Sequence, residues 1–273
     1  MHKILVPLMM LLAAACSSSG ISRSSSSSVA EIRTEEVTYR AGDVECHGYL
    51  AWDASVEGPR PGVLVVHEWW GHNEYARRRA RMLASMGYTA LALDMFGGGK
   101  EASHPEDATK FMMEVMGDLS VARERFEAAK QVLNAHPSTD AAQTSAIGYC
   151  MGGGVVLHMA RQGLELDGVA SFHGSLGTKA RAQSGDIKAR MLVCHGAADP
   201  FVTEEELAGF HGEMEDAGVD LSFVSYPGAL HAFTNPGATA KGEEFGLPLA
   251  YDEAADHGSW TELERFLGEI YGD

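Results

Sequence analysis

Six short apolar runs punctuate this chain: Val63–Val66, Thr89–Leu93, Thr144–Ile147, Gly168–Phe172, Met191–Cys194 and Leu221–Ser225. Runs that do not alternate apolar with polar residues suit strands buried on both faces, which are the strands of parallel sheets. Parallel neighbours need crossovers, and the sequence predicts helices over Glu74–Met86, Pro105–Val115, Leu119–Asn134, Gly153–Arg161, Glu204–Ala217 and Trp260–Ile270 to provide most of them. Ahead of the first run, Glu36–Arg40 and Val44–Ala51 alternate around Ala41-Gly42-Asp43, the pattern of a half-exposed hairpin. The expectation is an α/β fold, a mainly parallel sheet of about eight strands with helices on both faces. A length of 273 residues is ordinary for one such domain. Met95–Glu106 and Thr234–Tyr251 read as long loops without an interpretable motif.

The N-terminus stands apart. Lys3 precedes an apolar run from Ile4 to Ala15, too short to span a bilayer comfortably and laid out as a secretory signal, so residues 1–15 read as a signal peptide. Nine serines between Ser17 and Ser28 make residues 16–35 a flexible tether, and the domain occupies residues 36–273. Ala13-Ala14-Ala15-Cys16 resembles the lipobox of bacterial lipoproteins, with Leu12 one place earlier than the leucine preferred there. That resemblance implies a lipidated Cys16; the alternative is release as a soluble protein after an A-x-A-like site at Ala13-Ala14-Ala15. Both readings export the protein, to the periplasm or cell envelope, and confine any membrane contact to an N-terminal anchor.

With 21 basic residues against 38 acidic ones the formal net charge is −17, which argues against nucleic acid or anionic lipid surfaces as partners. Four cysteines, Cys16, Cys46, Cys150 and Cys194, are too scattered for a disulfide framework, and no CxxC or Cys/His spacing resembles a zinc site.

In open parallel sheets ligands collect beyond the C-terminal ends of the strands. Four predicted strand ends carry chemistry. Gly148-Tyr149-Cys150-Met151-Gly152 lies between an apolar strand and an apolar helix, the context of a nucleophile elbow, where Cys150 would sit at a helix N-terminus that favours a thiolate. A buried structural cysteine flanked by packing glycines is the bland alternative. His195-Gly196-Ala197-Ala198-Asp199 follows the next-to-last strand and Ala229-Leu230-His231 follows the last. Asp199 alone could be a helix cap and His231 a surface histidine, but Cys150…Asp199…His231 reproduces the nucleophile–acid–histidine order of α/β-hydrolases. His195 is a competing histidine, and its place suits a structural hydrogen bond better than general-base work. The strand Val63–Val66 ends in His67-Glu68-Trp69-Trp70-Gly71-His72, nominating the backbone N–H groups of Trp69 and Met151 as an oxyanion hole. Trp70 and Phe233 are candidate pocket residues. Metal binding by His67 and His72 lacks a third ligand at a zinc-like spacing.

Taken together, His67-Glu68-Trp69-Trp70-Gly71, Gly148-Tyr149-Cys150-Met151-Gly152-Gly153, His195-Gly196-Ala197-Ala198-Asp199 and His231-Ala232-Phe233 resemble the dienelactone hydrolase family across almost the whole domain. The resemblance implies a Cys150–Asp199–His231 triad that hydrolyses a small-molecule ester or lactone, with no metal and no cofactor. It also implies that Glu68 holds Cys150 in a resting state and lets it ionise when substrate arrives. Members that open dienelactones grip a substrate carboxylate with arginines; here the matching regions, Asp94–Lys100 and Phe233–Pro236, contain none. Lys100 is a candidate substitute, although an ammonium does not reproduce a bidentate guanidinium. Two rivals remain open at this level: a thiol-based redox or peroxide response at Cys150, for which neither Cys46 nor Cys194 is well placed as a resolving thiol, and a non-catalytic binding protein on the same fold.

Overall fold

The computed structural model describes residues 30–272. The segment expected as a signal peptide, residues 1–15, and Cys16 fall outside the described residues. Within them lie β1 (Ile32–Ala41), β2 (Val44–Asp53), β3 (Arg60–Val66), α1 (Glu74–Ser85), β4 (Thr89–Leu93), α2 (Pro105–Met116), α3 (Leu119–Ala135), β5 (Thr139–Tyr149), α4 (Met151–Arg161), β6 (Gly168–Phe172), β7 (Arg190–Gly196), α5 (Glu204–Ala217), β8 (Leu221–Tyr226), α6 (Ala238–Phe245) and α7 (Glu253–Tyr271). One eight-stranded sheet runs in the order β1-β2-β4-β3-β5-β6-β7-β8. Only the β1–β2 hairpin and the β2–β4 pair are antiparallel; all other neighbours are parallel.

The unalternating strand sequences are explained by burial on both sides. Leu64, Val66, Leu91, Leu93, Val169 and Val193 point into a core with helix residues such as Phe126, Val155 and Phe210. Their neighbours Val63, Val65, Ala90, Ala92, Ala170 and Leu192 point the other way, toward Leu83 of α1 and Leu263 and Phe266 of α7. Successive side chains of a strand face opposite ways, so a strand covered twice has no polar position to spare. The central helix α4 is buried along its whole length.

Several boundaries differ from the sequence expectation, β5 for example beginning at Thr139 rather than Thr144, and three differences bear on the reading of the chain. β1 begins at Ile32, four residues ahead of the alternation seen from Glu36, because the edge strand Ile32–Glu35 carries solvent-facing polar side chains. α7 begins at Glu253 rather than Trp260, capped by Asp252, which accepts from the Ala255 N–H. The region 234–251, expected as a loop, contains α6.

Candidate active site

The turn at Cys150 is a steric necessity before it is a chemical one. β5 ends at Tyr149, α4 starts at Met151, and the one residue between them takes φ 53°, ψ −118°, which costs an L-residue about 1–3 kcal/mol. Neither flank has room for a side chain: a Cβ on Gly148 would fall 2.0 Å from the Gly152 carbonyl oxygen, and one on Gly152 2.4 Å from the Val66 oxygen. The flanking glycines let the chain reverse here and present the half-buried Cys150 side chain at the N-terminus of α4.

The loops after β7 and β8 meet beside it. The Ala197 N–H donates to the Tyr226 oxygen at 2.9 Å and the Ala198 N–H to the Ala229 oxygen at 3.0 Å, stitching one loop to the other. Asp199, whose side chain is wholly buried, accepts the Phe201 N–H on Oδ1 at 2.9 Å and meets His231 Nδ1 with Oδ2 at 2.7 Å. The Cys150 sulfur lies near enough to His231 to raise the proton affinity of its imidazole. Burial alone would pull this imidazole down, but the sulfur and the Asp199 carboxylate overcome burial and hold it up at about 10. Three residues from three strand ends therefore converge. In the neighbouring pair of parallel strands Val66 is in register with Gly148, so the segments leading to Trp69 and Met151 emerge side by side.

Residues 46–271 match the model of the dienelactone hydrolase family. This chain belongs to the dienelactone hydrolase family. Protein usf of Aquifex pyrophilus is 28% identical over 238 residues, covering 85% of this chain and 97% of its own. Among solved structures, a dienelactone hydrolase-like promiscuous phosphotriesterase from metagenomic libraries is 35% identical with a TM-score of 0.81, covering 88% of this chain and 99% of its own. Another, named m3DLH, is 37% identical with a TM-score of 0.82 over the same shares of the two chains.

Against the expectations drawn from the dienelactone hydrolase family, Glu68 stands differently. Its Oε2 accepts the Asn235 Nδ2–H at 2.6 Å, and its hydrogen-bond partner is this amide rather than Cys150. Burial raises its carboxyl above the usual range, partly offset by Asn235, His231, Lys241 and Arg79. Lys100 points away, donating to Glu114 Oε2 at 3.0 Å on the surface. A different cation lies close: Lys241 of α6 sits with Nζ 3.5 Å from the centroid of the Trp70 ring. Trp70 is buried beneath it, in a small cluster with Ala102, Ala108 and Leu249, and Phe233 is 0% exposed, packed on His173 and Tyr226, so neither ring lines an opening. Phe201 does the opposite: it is 51% exposed and its ring stands edge-on to His231 at 5.0 Å.

His67 and His72 have local duties. His67 Nδ1 meets the Glu68 oxygen at 2.5 Å while Nε2 accepts the Met95 N–H, and His72 Nε2 meets the Ala92 oxygen at 2.9 Å. Among the described residues no three His, Cys, Asp or Glu side chains gather into a metal-binding group. His195 leaves Nδ1 buried without a partner, and its ring packs 5.9 Å from Phe223. Cys46 and Cys194 are both fully buried free thiols, pushed up by burial to about 11 and about 12.

Proposed function

We propose that this protein hydrolyses a carboxylic ester or lactone with Cys150 as nucleophile, His231 as proton carrier and Asp199 as its orienting acid. The observation that carries the reading is the Asp199 carboxylate 2.7 Å from Nδ1 of His231, an imidazole whose proton affinity the nearby Cys150 sulfur raises. The sulfur, as thiolate, attacks the carbonyl carbon. The oxyanion that forms is received by the N–H groups of Trp69 and Met151, each such donor being worth about 10²–10³ in rate. Collapse breaks the bond to the leaving oxygen, which takes the His231 proton, and leaves a thioester. His231 then accepts a proton from water as the water attacks the thioester, and the sulfur departs as thiolate with release of the carboxylic acid. A thiolate is a good leaving group, so enol and other activated esters partition forward better than amides. Loss of the His231 proton puts the alkaline limb of kcat/KM at about pH 10.

Burial of Cys46 and Cys194 speaks against a disulfide-forming redox cycle at Cys150, since neither thiol is accessible as a partner. The likeness to a phosphotriesterase at 35% identity favours one second reading, attack of the same sulfur on a phosphoryl centre. Turnover of nitrophenyl esters and of paraoxon by the wild type, Cys150→Ala and His231→Ala tests both. Unchanged ester turnover in Cys150→Ala would overturn the first reading, and paraoxon turnover that survives Cys150→Ala would overturn the second.

A further inference from the structure

Among the described residues, three that are not glycine hold positive φ: Cys150 at 53°, Ala232 at 60° and His173 at 41°. The first two belong to the nucleophile turn and the histidine loop. Strained backbone persists where its surroundings over-determine it, and such positions concentrate at working sites. His173 follows β6 directly and is buried. Its backbone N–H donates to the Cys194 oxygen at 2.9 Å, and the left-handed φ accompanies a ring that faces inward between Cys150 and the segment after His231.

Each ring nitrogen has one partner. The Cys150 N–H, which also donates to the Phe172 oxygen, donates to Nδ1 at 3.1 Å. Nδ1 is therefore unprotonated, and Nε2 carries the hydrogen and donates it to Thr234 Oγ1 at 2.7 Å. Thr234 is anchored twice more, by the Tyr75 hydroxyl at 2.6 Å and by Arg79, which donates to its carbonyl oxygen at 2.7 Å. Arg79 is itself fixed by the buried Asp256 carboxylate at 2.5 Å. The His173 ring stands edge-on to the rings of both His231, at 5.3 Å, and Phe233, at 5.2 Å. Burial, with His231 and Arg79 nearby, keeps the imidazole neutral.

We propose that His173 is a positioning residue, a neutral imidazole that ties the backbone of the Cys150 turn to Thr234 and so sets the distance between the sulfur and His231. The proposal rests on the reading of Cys150 and His231 as nucleophile and proton carrier. The link is one-sided chemically: Nδ1 must accept and Nε2 must donate, so a ring of equal size without nitrogens cannot replace it.

The test has two arms. In the first, His173→Phe and Thr234→Val lower kcat on a nitrophenyl ester by about 10- to 100-fold while KM stays within about twofold, the pattern of lost alignment rather than lost binding. Thr234→Ser, which keeps the hydroxyl, recovers most of the loss. In the second arm, mass spectrometry follows iodoacetamide alkylation of the Cys150 peptide against pH, and the midpoint moves upward in His173→Phe and Thr234→Val. Variants that fold and match the wild type in both kcat and alkylation midpoint overturn the proposal, as does a Thr234→Ser variant as impaired as Thr234→Val. If His173→Phe does not fold, the Thr234 pair decides. A wild type inactive on every ester defeats the hydrolase reading alone, because the alkylation arm needs no substrate.

Discussion

Glu68 shows how one buried carboxyl can be read thermodynamically. Burial raises its proton affinity in the folded state above the ordinary value of 4.5, so as pH climbs the unfolded chain releases this proton first and stability declines through the interval that follows. Glu68→Gln removes that decline. The melting temperature of the variant relative to wild type therefore rises from pH 4.5 upward, and a constant difference between pH 4 and pH 7 would contradict the assignment. At the proposed triad, Asp199→Asn keeps the shape of the loop but misorients His231, and kcat falls by about 10⁴-fold, measured on a nitrophenyl ester. Cys150, Asp199 and His231 were legible in the sequence because each sits in a motif after an apolar strand and the three come in nucleophile–acid–histidine order, whereas a strand end alone singles out nothing. His173 and Asn235 were not, because their meaning comes from partners 61 and 167 residues away, Thr234 and Glu68, that no local pattern connects.

At the scale of elements, legibility followed burial. The strands of the parallel sheet and helix α3 announce themselves by apolar runs or by a helical period. Helix α6 does not: Ala-Thr-Ala-Lys-Gly-Glu-Glu-Phe follows Asn235-Pro236-Gly237, has few large apolar residues and buries only Ala238 and Gly242. The first two turns of α7 were hidden for the same reason. With α6 went Lys241, the cation over Trp70, which thus had no visible connection to the site. The junction of β5 and α4 is the opposite case, since its glycines are demanded by contacts. A methyl group on Gly152 meets two backbone oxygens, of Val66 at 2.4 Å and His67 at 2.6 Å, that no rotamer change can move. Gly152→Ala should therefore lower the unfolding free energy by about 4 kcal/mol or more in urea titration. A loss under about 1 kcal/mol would mean the sheet yields more easily than its geometry implies.

Over the whole molecule the charge of −17 acts as a filter on approach. Raising ionic strength from about 0.01 to 0.15 M shortens the screening length from about 30 to 8 Å. For an ester that bears a carboxylate, kcat/KM should rise by about threefold or more over that range, while an uncharged ester of similar shape shows little change. Equal salt responses would mean that local cations, Lys241 among them, outweigh the global field at the site.

Arg79 on α1 and Asp256 on α7 join two helices that cover one face of the sheet, and the same guanidinium grips the Thr234 carbonyl. Asp256 belongs to the last helix of the described chain. On a ribosome, β3, β5, β7 and their loops would all have emerged before this carboxylate exists. The nascent protein would then hold an uncompensated arginine where the folded one has a clamp, and the grip on Thr234 would close only once α7 has been made.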